Sequence, residues 1–166
     1  LLGPQKPTKH SLYNIHQVIQ KVLKLVTMDL PSNIVLEQDY DPSIPDIQMD
    51  PEQLQQAILN IVQNAVQALD IQGGEILIKT RTQHQITIGK QQHKIVLALS
   101  IIDNGPGIQP ELLDTLFYPT VTGRDNGSGL GLSISHNLAR LHGGIIDCQS
   151  ASTGTEFTIL LPIEHR

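Results

Sequence analysis

The longest apolar stretch of the sequence covers residues 95–102 and runs directly into the glycine-rich segment 103–107. A continuous apolar run bounded by turn residues is typical of a strand that is buried in the middle of a sheet. We therefore predict a strand over residues 94–103, after which the glycines and the proline let the chain leave the sheet through a tight turn. Any fold for this chain has to be built around that central strand.

Three segments carry apolar residues at helical spacing. The first helix is predicted over residues 14–29, with Asn14 as its cap. The second opens at residue 50 with Asp-Pro-Glu, the favoured order of cap, first-turn proline and acidic residue, and runs to about residue 69. The third is predicted over residues 130–142, and a short helical piece is expected near residues 111–115.

The other segments rich in Val, Ile, Leu and Thr are predicted to be strands, at residues 34–39, 75–82, 85–88, 145–150 and 155–161. The polar connector 89–93 predicts a hairpin between the strands on either side of it. Together these elements imply an α/β fold, a two-layer sandwich in which a mixed, mostly antiparallel sheet packs on three helices. The 166 residues suit one domain, and we assign residues 1–12 to a linker and residues 13–166 to that domain.

Composition excludes several classes of partner. The net charge of −5 argues against a nucleic-acid partner, because proteins that bind nucleic acids usually carry a basic face. The single cysteine, Cys148, excludes an internal disulfide and fits a reducing compartment. No apolar run approaches the ~20 residues of a membrane span, and the first residues lack the layout of a signal peptide. We therefore expect a cytoplasmic protein without a membrane partner.

The second helix carries Asn60, Asn64 and Gln67 on one face. Asparagine is less favourable than alanine inside a helix by roughly half a kcal/mol, so two of them one turn apart suggest a role. One interpretation is a solvated polar face. The other is a row of amide oxygens that bind a divalent cation such as Mg²⁺ together with phosphates.

Asp103 stands where the central strand leaves the sheet, followed by Gly105 and Gly107. A carboxylate in this place can accept a hydrogen bond from an exocyclic amine such as that of adenine, while the glycines let the backbone lie close to a flat ring. The same string of residues is also an ordinary turn signal.

A second glycine-rich segment opens the third helix. Backbone N–H groups at a helix N-terminus form an anion site, and glycines let phosphate oxygens approach closely, although a flexible hinge is the alternative. Just upstream, residues 117–124 look like a mobile lid in which Arg124 could reach a terminal phosphate, unless they form an ordinary surface loop. The residues of the glycine-rich segment are Gly127, Ser128, Gly129, Leu130 and Gly131.

Taken in order, these motifs resemble the catalytic ATP-binding domain of sensor histidine kinases. Asn-x-x-x-Asn on a helix, Asp-x-Gly-x-Gly after a strand, an aromatic-proline segment, Gly-x-Gly-Leu-Gly-Leu and a final Gly-Thr-x-Phe are similar to the N, G1, F and G2 boxes of that family. The likeness covers residues 14–162. The match looks closer still to the nitrogen-regulation sensor kinases of the NtrB type, to which four stretches are similar: Leu1-Leu-Gly-Pro, Asp39-Tyr-Asp-Pro-Ser, Asp114-Thr-Leu-Phe-Tyr-Pro and Thr155-Glu-Phe. It implies a Bergerat-type sandwich with ATP between the helices and the lid.

The resemblance also implies roles for individual residues. Asp103 would recognise adenine, with Gly105 and Gly107 in the same turn and Thr155 near the ring through a water molecule. Asn60 and Asn64 would contact Mg²⁺ and the phosphates, and Asn60 and Arg124 would be the catalytic residues. Further phosphate contacts are implied for Gly127, Ser128, Gly129, Leu130 and Gly131.

Two departures from the family pattern bear on the reaction. Asn60 stands where ATP-hydrolysing relatives have a glutamate that activates water, and an amide cannot act as a general base, which favours transfer over hydrolysis. Gln67 stands where many histidine kinases have a basic residue.

The phosphoacceptor of the family has a context that no histidine of this chain shares. The chain contains His10, His16, His84, His93, His136, His142 and His165. We therefore expect the acceptor on an upstream dimerisation domain, joined through the linker, and expect a response regulator to be reached through that domain.

The expected activity is that of a protein-histidine kinase whose catalytic domain does not autophosphorylate alone. One alternative is a nucleotide-dependent regulatory module that binds a PII-type signalling protein without catalysis. Another is a free-standing ATPase, which would release phosphate steadily.

Overall fold

The structure is a computed structural model that describes residues 9–117 and 128–163. Within these residues the strands are β1 (Ser11–Tyr13), β2 (Ile34–Asp39), β3 (Ile47–Met49), β4 (Gly74–Ile88), β5 (Gln91–Asp103), β6 (Ile145–Ala151) and β7 (Gly154–Pro162). The helices are α1 (Ile15–Thr27), α2 (Pro51–Ala68), α3 (Pro110–Leu113) and α4 (Ser128–Leu141).

The main sheet of the described residues has five strands in the order β2-β4-β5-β7-β6. The β2–β4 pair is parallel, and the other three pairs are antiparallel. The predicted central strand, β5, lies in the middle of this sheet. Its side chains at residues 96–101 are buried on both faces of the sheet. Helices α1, α2 and α4 contribute to one hydrophobic core with this sheet. The predicted two-layer α/β sandwich with a mixed, mostly antiparallel sheet is confirmed.

A small two-stranded sheet of β1 and β3 was not predicted. Each strand has three residues, which is too short for an alternating pattern to stand out from the sequence. Ser11 and Leu12, which the sequence assigns to the end of a linker, belong to β1 and pair with Met49 and Gln48. The assignment of residues 1–12 to a linker stays a prediction.

The hairpin of β4 and β5 differs in detail from its prediction. The two predicted strands 75–82 and 85–88 are one strand, interrupted only at Gln85, whose φ of 57° takes it out of the pairing. The register is the same on either side of this residue. The turn is also tighter than the predicted connector 89–93, because Ile88 already pairs with Gln91.

Helix α2 illustrates why these segments fold as they do. Asp50 caps it, with its Oδ1 accepting hydrogen bonds from the N–H groups of Glu52 and Gln53 at 3.1 and 3.2 Å. Its apolar face is buried against the sheet, and each such leucine or isoleucine contributes about 1.5–3 kcal/mol. That face consists of Leu54, Ala57, Ile58, Ile61, Val62 and Ala65. No helix in residues 9–117 or 128–163 has the length and apolar character needed to cross a membrane.

Candidate functional site

Asn60 lies at the middle of α2, half-buried, where this helix approaches the first turn of α4. Its Nδ2 donates a hydrogen bond to the carbonyl oxygen of Gly131 over 3.2 Å. Its Oδ1 accepts one from the Nε2 of Gln56, one turn earlier on α2, over 2.9 Å. The two contacts fix which way the amide faces. Asn64 is also half-buried, one turn further along the same face, whereas Gln67 is exposed.

Asp103 ends β5 with only 4% of its surface exposed. Its Oδ1 accepts a hydrogen bond from the N–H of Gly105 over 2.9 Å. Burial raises the pKa of this carboxyl above its ordinary value, and hydrogen bonds from the N–H groups of Gly105 and Thr155 counteract part of that rise. The residue lines an open cavity of about 390 Å³ together with Ser150 and Thr155. A buried carboxylate beside a cavity can accept a hydrogen bond from a ligand amine.

The turn after Asp103 is held close to its neighbours. Gly107 has a φ of 84°, and a Cβ on it would overlap the carbonyl group of Ala151. Gly105 packs against the side chain of Leu69 at the end of α2. Both glycines of the predicted motif therefore serve a tight approach of the turn to β6 and to α2. The same helix thus borders the turn at its end and carries Asn60 at its middle.

Ser150 is a residue of this site that the sequence did not reveal. Its Oγ accepts a hydrogen bond from the N–H of Ile108 over 2.7 Å and lies 3.0 Å from the Oγ1 of Thr155. Thr155 is 5% exposed and pairs with Asp103 across β7 and β5. Ser150 therefore ties the glycine turn to the strand that carries Thr155. A signal did exist, because two hydroxyl residues flank the tight β6–β7 turn and face each other directly.

Gln56 is the second residue that the sequence did not single out. It precedes Asn60 by four residues, and side chains at this spacing on a helix are neighbours. The contact between Gln56 and Asn60 could therefore have been predicted from their spacing in the sequence.

Phe117, the first residue of the predicted lid, packs against two other rings. Its ring stacks on His136 of α4 with centroids 5.2 Å apart, and it makes an edge contact with Phe157 of β7 at 6.2 Å. These two ring contacts hold Phe117 against α4 and β7. The remainder of the predicted lid, residues 118–124, lies outside the described residues.

The predicted site residues fall into four groups. Asn60 contacts Gly131 where α2 approaches α4, and Asn64 lies one turn further along α2. Asp103 and Thr155 line the cavity, and Gly105 and Gly107 lie in the turn that follows Asp103. Ser128, Gly129 and Leu130 are described as the helical start of α4 by their backbone alone. Arg124 and Gly127 lie outside the described residues. Helix α2 borders both groups whose side chains are described.

The donor set suits Mg²⁺ bound mainly through a ligand and water. No group of three His, Cys, Asp or Glu residues that could hold a metal occurs among residues 9–117 and 128–163. Asn60 and Asn64 offer amide oxygens, and the Oδ1 of Asn60 has one lone pair left after its bond from Gln56. Mg²⁺ usually takes one or two protein ligands and completes its shell with water and substrate phosphates, so the residues present fit this ion.

The fold is an α/β sandwich with a buried carboxylate beside a cavity and with the amide side chains of α2 near the start of α4, an arrangement that can bind a nucleotide. The family model described as histidine kinase-, DNA gyrase B-, and HSP90-like ATPase matches residues 49–165. The chain belongs to this family.

Two curated relatives and one solved structure show which members of the family the chain is similar to. The sensory histidine kinase/phosphatase NtrB of Vibrio alginolyticus is 55% identical over 164 residues, which cover 98% of this chain and 47% of the relative. NtrB of Salmonella typhimurium is 51% identical over 163 residues, with the same coverage. The catalytic domain of histidine kinase ThkA has a TM-score of 0.77 and 26% identity, covering 93% of this chain and 98% of that one.

These findings confirm the resemblance to sensor histidine kinases of the NtrB type. The chain spans about half the length of the curated relatives it matches.

Proposed function

We propose that the chain binds ATP with Mg²⁺ and transfers the γ-phosphate to a histidine on a separate domain, as the catalytic domain of a sensor histidine kinase in nitrogen regulation. The observation that carries this proposal is the buried Asp103 carboxylate, which opens onto the cavity between β5 and the β6–β7 turn. The carboxylate accepts a hydrogen bond from the exocyclic amine of adenine, and Thr155 contacts the adenine ring through a water molecule.

The phosphates extend along α2 towards α4. Asn60 and Asn64 supply amide oxygens to Mg²⁺, and Gly131 belongs with Gly127, Ser128, Gly129 and Leu130 to the segment that contacts phosphate oxygens. Arg124 stabilises charge on the transferred group. Bound Mg²⁺ neutralises charge that develops on the phosphate oxygens.

The reaction needs an outside nucleophile. Asn60 cannot take a proton from water, so the chain offers no general base for hydrolysis at this position. An imidazole nitrogen of the acceptor attacks the γ-phosphorus, a nitrogen–phosphorus bond forms, and the bond to the bridging oxygen breaks to release ADP. The chain's contribution is to position the two groups and stabilise charge, which is how phosphoryl transfer is mostly catalysed.

The partners follow from this scheme. Residues 1–12 link the domain to an upstream dimerisation domain that carries the acceptor histidine, and a response regulator takes the phosphate there. ThkA, which shares the fold, has been solved in complex with a response regulator protein. The site of action is the cytoplasm, in keeping with the single cysteine. The alternative of a binding module for a PII-type protein is not supported by the comparisons.

The test has two parts, and the first is a titration of the chain with ATP, with and without Mg²⁺. We expect binding in both cases and tighter binding with the metal. In the second part, ATP labelled on the γ-phosphate is added to the chain alone and to the chain mixed with the region of the Vibrio alginolyticus relative that lies outside the match. Label on that region and none on the chain supports transfer in trans. Label on a histidine of the chain, or steady phosphate release by the chain alone, contradicts it.

A further inference from the structure

Three polar contacts join the first half of α2 to α4. The Nδ2 of Asn60 donates to the Gly131 carbonyl over 3.2 Å, and the Oγ of Ser135 donates to the Ala57 carbonyl over 2.9 Å. At the far end, the N–H of Asp50, the cap of α2, donates to the Nε2 of His142 over 3.1 Å. The order of partners runs in opposite directions on the two helices, so the helices are antiparallel. The contacts run the length of α4, from Gly131 to His142 just past its end, and lie along the first half of α2, from its cap to Asn60 at its middle.

The contact at the far end requires a neutral histidine. The Nδ1 of His142 lies 2.8 Å from the Leu138 carbonyl, which can only accept, so this nitrogen carries the hydrogen. The Nε2 is then a free acceptor for the N–H of Asp50. Protonation would place a hydrogen on Nε2 and set it against the Asp50 N–H. The contact therefore exists in one tautomer of the uncharged ring.

The surroundings of His142 reinforce this state. Burial lowers the pKa of the ring, the Leu138 hydrogen bond raises it, the charge of His10 lowers it, and that of Asp50 raises it. The His10 ring stacks on His142 with centroids 4.9 Å apart, and the N–H of Lys9 donates to the Oδ2 of Asp50 over 3.2 Å. Glu52 in the first turn of α2, the Lys9 side chain, and His136 and Arg140 on α4 are the other charged or titratable groups on these elements.

We propose that His142 is a positioning residue for nucleotide binding, which together with Ser135 sets where the first turn of α4 lies relative to Asn60. This role rests on the proposed function, in which the first turn of α4 binds the phosphates of ATP. At a rise of about 1.5 Å per residue, Ser135 is roughly 6 Å from Gly131 and roughly 10 Å from His142 along the helix. If the far end is released, α4 can pivot about Ser135, and a shift of about 1 Å there moves the first turn by about 0.6 Å.

The first experiment separates positioning from general stability. His142→Phe keeps a ring against His10 and removes both hydrogen bonds of the imidazole. Dissociation constants of the chain are measured at pH 8 for ATP with Mg²⁺ and for adenosine, which reaches only the Asp103 cavity. We expect ATP to bind about fivefold more weakly, the factor for one lost hydrogen bond, and adenosine to bind as before. Equal weakening of both ligands, or no weakening of ATP binding, would overturn the proposal.

Ser135→Ala is the second variant, in case His142→Phe does not fold. Ser135 is fully buried, and alanine removes only its hydroxyl. We expect the same split between ATP and adenosine. If the unaltered chain binds neither ligand, the proposed function itself fails. If it binds both and neither variant shows the split, only the positioning role fails.

The pH profile tests the requirement for a neutral ring. In His142→Gln an amide oxygen can accept from Asp50 and does not titrate. The ATP phosphate also titrates near pH 6, so the measured quantity is the ratio of the dissociation constants of the two proteins at each pH. We expect a ratio near one at pH 8, and relative weakening of the unaltered chain as pH falls below 6.5 through the lowered pKa of His142. The exposed His84, changed to Gln, should give a flat ratio. A flat ratio for His142→Gln contradicts the proposal.

Discussion

The side-chain amide of Asn60 is shared between two helices, since its Nδ2 donates to the Gly131 carbonyl of α4 while its Oδ1 accepts from Gln56 on α2. Exchange of the amide oxygen and nitrogen would set oxygen against the Gly131 carbonyl and two N–H groups against each other. The orientation is thus determined by the neighbours of Asn60 before any ligand binds. A metal ligand that is already oriented loses less entropy on binding.

Gln56→Glu is predicted to disturb this orientation. A carboxylate in place of the Gln56 amide cannot donate to the Oδ1 of Asn60 and repels it, so the Asn60 amide is no longer held in its orientation from this side. We expect ATP with Mg²⁺ to bind about threefold to tenfold more weakly, a change equivalent to about one hydrogen bond. Gln63→Glu is the matched control, because it adds the same charge to an exposed position of α2. Isothermal titration calorimetry compares the two. Equal losses would mean that charge alone, and not the orientation of Asn60, is responsible.

Asp103→Asn is predicted to abolish nucleotide binding without lowering stability. The amide presents a donor to the cavity where an adenine amine needs an acceptor. Asp147→Asn, at an exposed position of β6, should leave binding unchanged.

The stability of the same variant depends on pH. The pKa of Asp103 is raised in the folded chain, so its contribution to stability is fully present below the unfolded value of 3.8 and is lost as pH rises through the folded pKa. Asparagine does not titrate, so the variant does not lose stability in this way as pH rises. We expect the variant to melt at an equal or higher temperature, with a difference that grows from pH 4 upward and then levels. A variant that is less stable at pH 7 would contradict this account.

Much of the fold followed from the sequence because it depends on local pattern. The apolar run into Asp103 identified the central strand, and helical spacing identified α2 and placed Asn60 on its polar face. What the sequence did not supply depends on contacts between distant residues. Ser150 acts through the register of a hairpin and through Ile108 on another loop, and His142 meets Asp50 only once α4 lies along α2. The strands β1 and β3 were missed because three residues carry no periodicity.

Gly107→Ala is predicted to destabilise the chain. The residue has a φ of 84°, and the added methyl would overlap the Ala151 carbonyl. The strain of such a backbone costs on the order of 1–3 kcal/mol, and the overlap adds to it. Gly89→Ala is the control, since Gly89 has a φ of 62° with no atom within 4 Å of an added Cβ. Urea unfolding gives the two free energies. Equal losses of unfolding free energy in the two variants would show that the overlap with Ala151 does not destabilise the fold.

Ser150→Ala is predicted to loosen the turn that carries the Asp103 motif. The N–H of Ile108 loses its acceptor, and the Thr155 hydroxyl loses its neighbour. A partly buried donor left without a partner costs on the order of 1–3 kcal/mol, so the free energy of unfolding should fall by about that amount. Because Thr155 lies beside the cavity, adenosine should bind more weakly, by about threefold to tenfold. Ser150→Thr retains a hydroxyl and should recover most of the affinity. Unchanged adenosine affinity in Ser150→Ala, with a stable fold, would show that the hydroxyl does not shape the cavity.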